Sequence, residues 1–189
     1  CASTSDAGPV DITHMARHGV QGRAVLVDLE AHLGIARSVV DFDTFAAILA
    51  ADDVVIEPGD ILVLHTGFAR EVLAQNGEPS AESLDVGAVL DGADQGLHEW
   101  IDTSGVAAIA ADNYAVEAFP PTTELRGSPA LPLHELCLFR LGVHLGELWW
   151  LSDLAAYLRQ AERSRFLLTA PPLRLPGATG SPLTPIATV

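Results

Sequence analysis

The hydrophobic positions of the chain fall into short apolar runs, separated by stretches in which apolar residues recur at helical spacing. The runs AVLVDL (24–29), ILVLH (61–65) and VAAIAA (106–111) consist almost entirely of branched and small apolar residues. Such runs are typical of strands that are covered on both faces. Two more strands are predicted towards the carboxyl end, over residues 166–175 and 183–189.

Helices are predicted between the runs, where apolar residues recur every three or four positions. Asp43 is predicted to cap a helix over 44–51, and Ser152 is predicted to cap another over 152–163. The remaining helices are predicted over 11–17, 67–76 and 91–102.

The segment LPLHELCLFRLGVHLGELWWLSDLA (131–155) predicts a helix followed by a strand. Pro132 is tolerated only before or within the first turn of a helix, so the apolar run after it is predicted to be helical. Gly142 marks the end of that helix. Residues 143–148 then predict a short buried strand that carries one carboxylate, Glu147.

The alternation of strands and helices predicts an α/β fold with a mainly parallel or mixed sheet. No internal repeat, low-complexity tract or linker divides the sequence, and 49% of its 189 residues are hydrophobic, which is enough for a substantial core. The sequence therefore predicts a single domain over 1–189. No apolar run is long enough for a membrane span.

The charge of the chain narrows the class of its partners. Its 25 acidic residues outnumber 10 basic ones, all of them arginine, and the formal net charge is −15. Binding to a nucleic acid backbone favours a basic surface, so a nucleic acid partner is not expected. The two cysteines, Cys1 and Cys137, cannot form a disulfide framework, and Cys137 lies in an apolar helix where it is expected to pack as a small hydrophobic residue.

The two side chains best suited to chemistry are His134 and Glu147. A carboxylate in an apolar strand needs a cation, a metal or a proton beside it, because an unpaired buried charge is destabilising by several kcal/mol or more. A structural ion pair between Glu147 and an arginine and a functional site are both compatible with this segment. The sequence alone leaves the two interpretations open.

Polar residues follow two of the predicted strands directly. His65 ends one strand, and Asp112 follows another and leads into Asn113, Tyr114 and Glu117. Ligands of open α/β sheets gather beyond the carboxyl ends of the strands, so these residues predict a pocket. The alternative is that Asp112 only caps the turn that follows it.

Two other patterns are weaker. His14 and His18 are four residues apart, a spacing that suits metals on a helix, but no convincing third ligand lies nearby and surface histidines are the preferred interpretation. The loop PGATGSP (176–182) resembles a phosphate-binding loop but lacks a lysine and a following helix, so a tight turn is predicted there.

The chain begins at Cys1, and its one methionine is Met15. Three explanations are open: a processed lipoprotein, an N-terminal nucleophile whose α-amine acts as base, or a boundary within a longer polypeptide. The first would place the protein outside the cytoplasm.

Five segments together resemble the metal-dependent cyclase family, which includes kynurenine formamidase and isatin hydrolase. They occur in the family's order and cover nearly the whole chain: GVQGRAVLVDLEAHLG (19–34), EPGDILVLHTGF (57–68), VAAIAADNYAVE (106–117), the segment 131–155, and PPLRLPGATGSPLTPIA (171–187). The resemblance favours a boundary within a longer polypeptide and a cytoplasmic protein. It implies a swivelling β/β/α-type fold with a mixed sheet flanked by helices, and a homo-oligomer, a dimer or tetramer.

The resemblance also implies hydrolysis of a small cyclic or N-acyl amide, lactam or lactone by water activated on zinc or manganese. Glu147 matches a glutamate that serves as a metal ligand, and His134 matches a histidine that serves in acid–base catalysis. The resemblance further implies substrate-binding roles for residues at two strand ends: Asp112, Asn113, Tyr114, Glu117, His65 and Phe68. The family often has Arg and Trp where this chain has His65 and Phe68.

One departure from the family is large. Its HxGTHxDxxxH motif supplies most of the metal ligands and precedes the region that matches Cys1–Gly19, and this chain has no such motif. We therefore expect an N-terminal portion to be missing, with the remaining ligands on it. The alternative is a non-catalytic or partner-dependent subunit with the same fold.

Overall fold

A computed structural model describes residues 11–80, 85–122 and 129–189, so Cys1 lies outside the described residues. The strands are β1 (Gln21–Asp28), β2 (Ser38–Val40), β3 (Ile61–His65), β4 (Ala88–Leu90), β5 (Ala108–Ala111), β6 (His144–Gly146), β7 (Arg165–Thr169) and β8 (Ile186–Thr188). The helices are α1 (Thr13–His18), α2 (Leu29–Leu33), α3 (Phe42–Ala51), α4 (Phe68–Ala74), α5 (Gln95–Ser104), α6 (Pro132–His134) and α7 (Ser152–Gln160), and a π-helix (Glu135–Leu141) continues α6.

The chain forms two compact units, a larger one over Ala24–Arg165 and a smaller one made of Cys1–Arg23 and Phe166–Val189. In the larger unit, β1, β3, β5 and β6 pair in parallel, in the order β6-β5-β3-β1. All five residues of β3 are buried, as expected for a central strand with both faces covered. The prediction of a single domain is not tested by this division and stays a prediction.

The parallel register brings one ionisable side chain to the carboxyl end of each of the four strands. Asp28 ends β1 and is directly opposite His65 at the end of β3. Asp112 follows β5, and Glu147 follows β6. Because parallel strands end at the same edge of a sheet, these side chains share one edge.

The core of the larger unit lies between the sheet and its helices. Buried side chains from β3, β5 and α5, such as Leu64, Ile109 and Ile101, pack with Phe45 of α3. Phe45 makes an edge-to-face contact with Trp100, with ring centroids 5.0 Å apart. A second, two-stranded parallel sheet of β2 and β4 adjoins this core through Val40, Ala88 and Leu90.

The smaller unit contains α1 and the antiparallel pair β7–β8. The loop that resembles a phosphate-binding loop is a turn at Pro176–Gly177, as predicted, and Gly177 has φ +82°. The Gly177 N–H donates to Asp11 at 2.7 Å. This bond and those from Thr13 lower the pKa of Asp11 to about 2.

The predicted α/β class with parallel and antiparallel pairing is confirmed, and the three buried strands lie within a few residues of their predicted bounds. Three short elements were not predicted, namely α2, β2 and β4. Among the described residues, no helix is long and apolar enough to cross a membrane.

Several predicted helix starts are wrong. Asp41, not Asp43, caps α3 and accepts a hydrogen bond from the Thr44 N–H. Ser152 does not cap α7, because the cap position is Leu151 and no side chain makes a capping hydrogen bond there. The predicted buried strand over 143–148 is also too long, and the Glu147 side chain is 34% exposed rather than buried.

Candidate active site

The first cluster of ionisable residues at this edge of the sheet is centred on Glu117, a fully buried carboxylate. The backbone around it extends the end of β4, where the Ala118 N–H donates to the Leu90 carbonyl. Its two oxygens accept from the N–H groups of Leu133 and His134, each at 2.9 Å. These N–H groups belong to the first turn of a helical segment and have no carbonyl partner within it, so the carboxylate satisfies them.

His134 lies between two carboxylates. Its Nδ1 is 2.8 Å from Glu117 Oε1, and its Nε2 is 3.0 Å from Glu147 Oε1. The imidazole is 22% exposed, Glu117 is 0% exposed and Glu147 is 34% exposed. The three side chains therefore form a hydrogen-bonded chain that runs from the interior to the surface, and we call it the Glu117–His134–Glu147 chain.

The backbone beside both carboxylates is held in left-handed conformations. Ala115 and Val116 have φ of 69° and 59°, and Leu148 has φ of 56°. Asn113 ties these segments together, because its Oδ1 accepts from the Val116 N–H and its carbonyl accepts from the Leu148 N–H. Left-handed conformations of such residues are strained by about 1–3 kcal/mol each and cluster at functional sites.

Gly92 makes room for the buried carboxylate. A Cβ at this position would collide with a carboxylate oxygen of Glu117 and would lie 3.2 Å from Pro132 Cδ. The requirement for glycine here comes from close packing against Glu117.

The two carboxylates change the acidity of the imidazole between them. The hydrogen bonds that the imidazole donates, first to Glu117 and then to Glu147, raise the pKa of His134 to about 9. The hydrogen bond from His134 lowers the pKa of Glu147. Burial raises the pKa of the nearby Cys137 thiol to about 12, so this cysteine is a packing residue and not a thiolate nucleophile.

In the metal-free chain, we expect His134 to titrate near pH 9 in a histidine NMR titration. Glu117→Gln should lower the pKa of His134 towards its ordinary value of about 6.5, because the glutamine carries no charge. Glu135→Gln, in the same helical segment, is the matched control and should leave it unchanged. A titration of His134 near pH 6.5 in the unsubstituted chain would contradict the geometry.

The same shift makes stability depend on pH. Because the pKa of His134 is raised on folding, its ion pairs stabilise the folded chain fully below about pH 6.5, and this stabilisation is lost as the pH rises through about 9. The free energy of unfolding should therefore fall on the alkaline side, and urea titrations at a series of pH values measure it.

The other predicted site residues lie at the same sheet edge but in structural contacts. Asp112 is buried and accepts hydrogen bonds from the Thr66 N–H, the Thr66 hydroxyl and the Gly67 N–H. Burial raises the pKa of Asp112 above its usual value, against the effect of these bonds. Tyr114 packs on Phe68 with ring centroids 5.6 Å apart. The substrate-binding roles of Asp112, Tyr114 and Phe68 stay predictions.

His65 belongs to a different cluster from His134. Its Nδ1 is 2.8 Å from Asp28 Oδ1, and its Nε2 faces Glu30 Oε2 at 3.5 Å. Asp28 and Glu30 were not predicted as site residues, although Asp28 lies within the predicted strand 24–29 and is the last residue of β1. His14 and His18 lie exposed on α1.

The first cluster contains side chains of the kinds that bind metal ions in proteins. Glu147 supplies a partly exposed carboxylate oxygen, and His134 Nε2 lies 3.0 Å from its Oε1. The buried Glu117 holds the other imidazole nitrogen at 2.8 Å. Within residues 11–80, 85–122 and 129–189, no group of three or more His, Cys, Asp or Glu is placed to hold a metal ion. The described residues thus fit part of a coordination sphere.

Comparison with known proteins finds one family model and several solved structures. The family model described as "Putative cyclase" matches residues 3–118. A crystal structure described as a novel cyclase is 34% identical, with a TM-score of 0.77, and the match covers 94% of this chain and 55% of that one. A search of curated protein sequences finds no match.

More distant structures share the fold. Isatin hydrolase A from Labrenzia aggregata is 13% identical with a TM-score of 0.68, and the match covers 96% of this chain and 66% of that one. A predicted metal-dependent hydrolase from Bacillus stearothermophilus is 18% identical with a TM-score of 0.60, covering 99% of this chain and 69% of that one. The chain thus spans little more than half of the novel cyclase and about two thirds of these two proteins.

Proposed function

Because the chain belongs to the cyclase family, we propose that it carries the proton-transfer site of a metal-dependent hydrolase. The proposed substrates are small cyclic or N-acyl compounds with an amide, lactam or ester bond. The observation that carries the proposal is the position of His134, with one ring nitrogen held by a buried carboxylate and the other beside a partly exposed one. Isatin hydrolases with the same fold support this substrate class.

In this proposal Glu117 is a positioning residue and His134 is the catalytic residue. Glu117 accepts hydrogen bonds from the His134 Nδ1–H group and from two backbone N–H groups. These bonds hold the imidazole with Nε2 on the side of the partly exposed Glu147. Nε2 is then the atom that exchanges protons with a substrate. When water adds to the carbonyl carbon and the bond to the leaving nitrogen or oxygen breaks, Nε2 delivers a proton to the leaving atom. The proton that the attacking water gives up then restores the imidazole.

Glu147 is proposed as a metal ligand. Zinc or manganese would supply activation of the attacking water and polarisation of the carbonyl. The carboxylate is suited to this role because it is partly exposed, and no described arginine is paired with it. The remaining ligands are proposed to come from residues other than those described.

Tyr114 is proposed as a substrate contact, because it is only partly buried and its ring packs at an angle of 59° to that of Phe68, the first residue of α4. A homo-oligomer is also proposed. It is supported by exposed apolar side chains on the π-helix, where Phe139 is 84% exposed and Leu138 is 47% exposed. The cytoplasmic location stays a prediction.

The test of the metal site is calorimetric titration of the purified chain with Zn²⁺ and Mn²⁺. Glu147→Gln should weaken binding by about tenfold or more, because a charged oxygen ligand is replaced by a neutral one. Glu135→Gln is the matched control and should bind as the unsubstituted chain does. Equal affinities for both variants would contradict the assignment of Glu147.

The test of the activity uses isatin as a lactam substrate, with the ring-opened product detected by mass spectrometry as the gain of one water. Turnover that requires added Mn²⁺ or Zn²⁺ is the expected result. Metal binding without any turnover of isatin or of N-acyl amides would favour the alternative, a partner-dependent or non-catalytic subunit.

A further inference from the structure

A polar cavity lies between α2, the end of β3, α4 and one face of α7. Its volume is about 260 Å³, and its polar lining consists of Glu30, His65, Arg70, Ser152 and Arg159, with two alanines between them. No member of the Glu117–His134–Glu147 chain lines it.

Two polar atoms in the wall of this cavity have no hydrogen-bond partner. His65 is only 2% exposed, and its Nε2 makes no hydrogen bond, with Glu30 Oε2 3.5 Å away, although Nδ1 is bonded to Asp28. The Ser152 hydroxyl is also buried and unpartnered. In the part of the chain that the structure describes, these two are the complete set of such side-chain atoms, and both belong to the same cavity. Leaving a buried polar atom unpaired costs about 1–3 kcal/mol, so this coincidence points to a ligand.

The fold explains why the serine hydroxyl is available. Ser152, Ala156 and Arg159 follow the spacing i, i+4 and i+7, so they share one face of α7. Leu151 holds the cap position, so the hydroxyl of Ser152 is not used to cap the helix. The face of α7 that carries it is turned towards His65 and Glu30.

The charged groups around the cavity are paired with one another. Both terminal nitrogens of Arg70 bond to Glu30, and one of them also bonds to Glu71, while Arg159 bonds to Asp28. Burial alone would raise the pKa of Asp28, but hydrogen bonds from His65 and Arg159 lower it. The hydrogen bond from Arg70 lowers the pKa of Glu30. Asp28 and Glu30 are therefore ionised, and each is already paired with a guanidinium group.

A ligand with a net charge would have to break one of these pairs, and it would face a group of its own sign beside every group of opposite sign. A neutral ligand keeps both pairs. The wall offers a hydroxyl at Ser152 and an imidazole nitrogen at His65, neither of which makes a hydrogen bond. It also offers spare N–H donors at Arg159 and, on the Glu30 carboxylate, lone pairs beyond those that Arg70 uses. They complement a molecule with an acceptor next to a donor.

We propose that the cavity lined by His65, Ser152, Glu30 and Arg159 is a binding site for a small neutral molecule of the carboxamide class. The carbonyl oxygen accepts from the Ser152 hydroxyl and from Arg159, and the amide N–H donates to His65 Nε2 or to Glu30. The two alanines provide a small apolar wall for the substituent on the amide.

The test compares three probes of nearly the same shape that differ in charge: benzamide, benzoate and benzamidine. Each is titrated into the chain in the presence of EDTA, and binding is followed through the NMR signals of the His65 ring. Benzamide should bind with a dissociation constant in about the millimolar range, as expected for a fragment, and about tenfold or more tightly than either charged probe.

Ser152→Ala should weaken benzamide binding by about fivefold or more, because the carbonyl loses a hydrogen-bond donor. Ser104→Ala, at the end of α5, is the matched control and should bind as the unsubstituted chain does. His65→Phe should abolish the preference for benzamide, and Ser152→Ala keeps the test valid if His65→Phe does not fold. Glu147→Gln should leave benzamide binding unchanged, which separates this site from the proposed active site.

Preferred binding of benzoate or benzamidine would overturn the proposal in favour of an anion or cation site. Failure of all three probes to shift the His65 signals at tens of millimolar would overturn it in favour of a cavity filled by water alone. Equal binding by the Ser152→Ala and Ser104→Ala variants would also overturn it.

Discussion

Replacing His134 with alanine is expected to lower the turnover number for lactam or amide hydrolysis by about two to four orders of magnitude, the usual contribution of a positioned acid or base. The physical reason is that His134 Nε2 is the only atom of the Glu117–His134–Glu147 chain that combines partial exposure with a bound proton to give. The Michaelis constant should change much less than kcat, because the imidazole acts on the leaving atom rather than on the ground state of the substrate. Steady-state kinetics in the presence of saturating metal measures both.

The matched control is His32→Ala. His32 is also a partly exposed histidine paired with a carboxylate, Asp52, at 2.9 Å, but it is not part of the candidate active site. It should retain normal kinetics. If His134→Ala keeps its kcat, the proton-transfer role is wrong. If it loses metal binding together with turnover, His134 is a ligand and not the proton donor.

Replacing Glu117 with alanine is expected to destabilise the fold by about 3–5 kcal/mol, the range for removing one partner of a buried charged pair. The substitution leaves the N–H groups of Leu133 and His134 without an acceptor and creates a cavity where a fully buried side chain was. Glu117→Gln keeps the shape and one acceptor oxygen, so it should cost clearly less. Urea unfolding monitored by tryptophan fluorescence measures all of these variants.

Glu99→Ala is the control for this series, because Glu99 lies exposed on α5 and its change should stay within about 0.5 kcal/mol. A loss for Glu117→Ala no greater than that of Glu99→Ala would mean that the buried carboxylate does not hold the helix start. The stability measurement is independent of the proposed activity.

The sequence predicts the central strands well because their residues are apolar at every position. The bounds of β3 coincide with the predicted ILVLH run, since only a strand covered on both faces tolerates such a run next to a turn at Pro58–Gly59. The short strands β2 and β4 were missed, because three residues are too few for a periodicity to be recognised.

Helix details were less predictable. The apolar run after Pro132 ends at Gly142 as predicted, but residues 135–141 form a π-helix, whose spacing of apolar residues does not differ enough from that of an α-helix to be seen. The capping aspartate of α3 was misplaced by two residues, because Asp41 and Asp43 are equally good candidates on composition. Only the position of Thr44 relative to the carboxylate decides between them.

The sequence pointed to His134 and Glu147 as one site, and the structure places them in contact. It could not reveal that Glu117 is the inner partner of His134. An acidic residue in the apolar stretch AVEAF is evidence of a buried carboxylate, but its partner His134 lies on α6, 17 positions away, and the pattern does not constrain that pairing. The pairing of Asp28 with Arg159 spans 131 positions and depends entirely on tertiary structure.

The register of the parallel sheet has a consequence for the chemistry. Asp28, His65, Asp112 and Glu147 stand at or just past the last residues of four neighbouring strands, and each is preceded by an apolar residue or glycine: Val27, Leu64, Ala111 and Gly146. A slip of one residue in any strand would place an apolar residue or glycine where the ionisable residue stands. The ionisable side chain would then point to the opposite face of the sheet. Insertions or deletions within the strands would therefore separate these side chains even where every polar residue is retained.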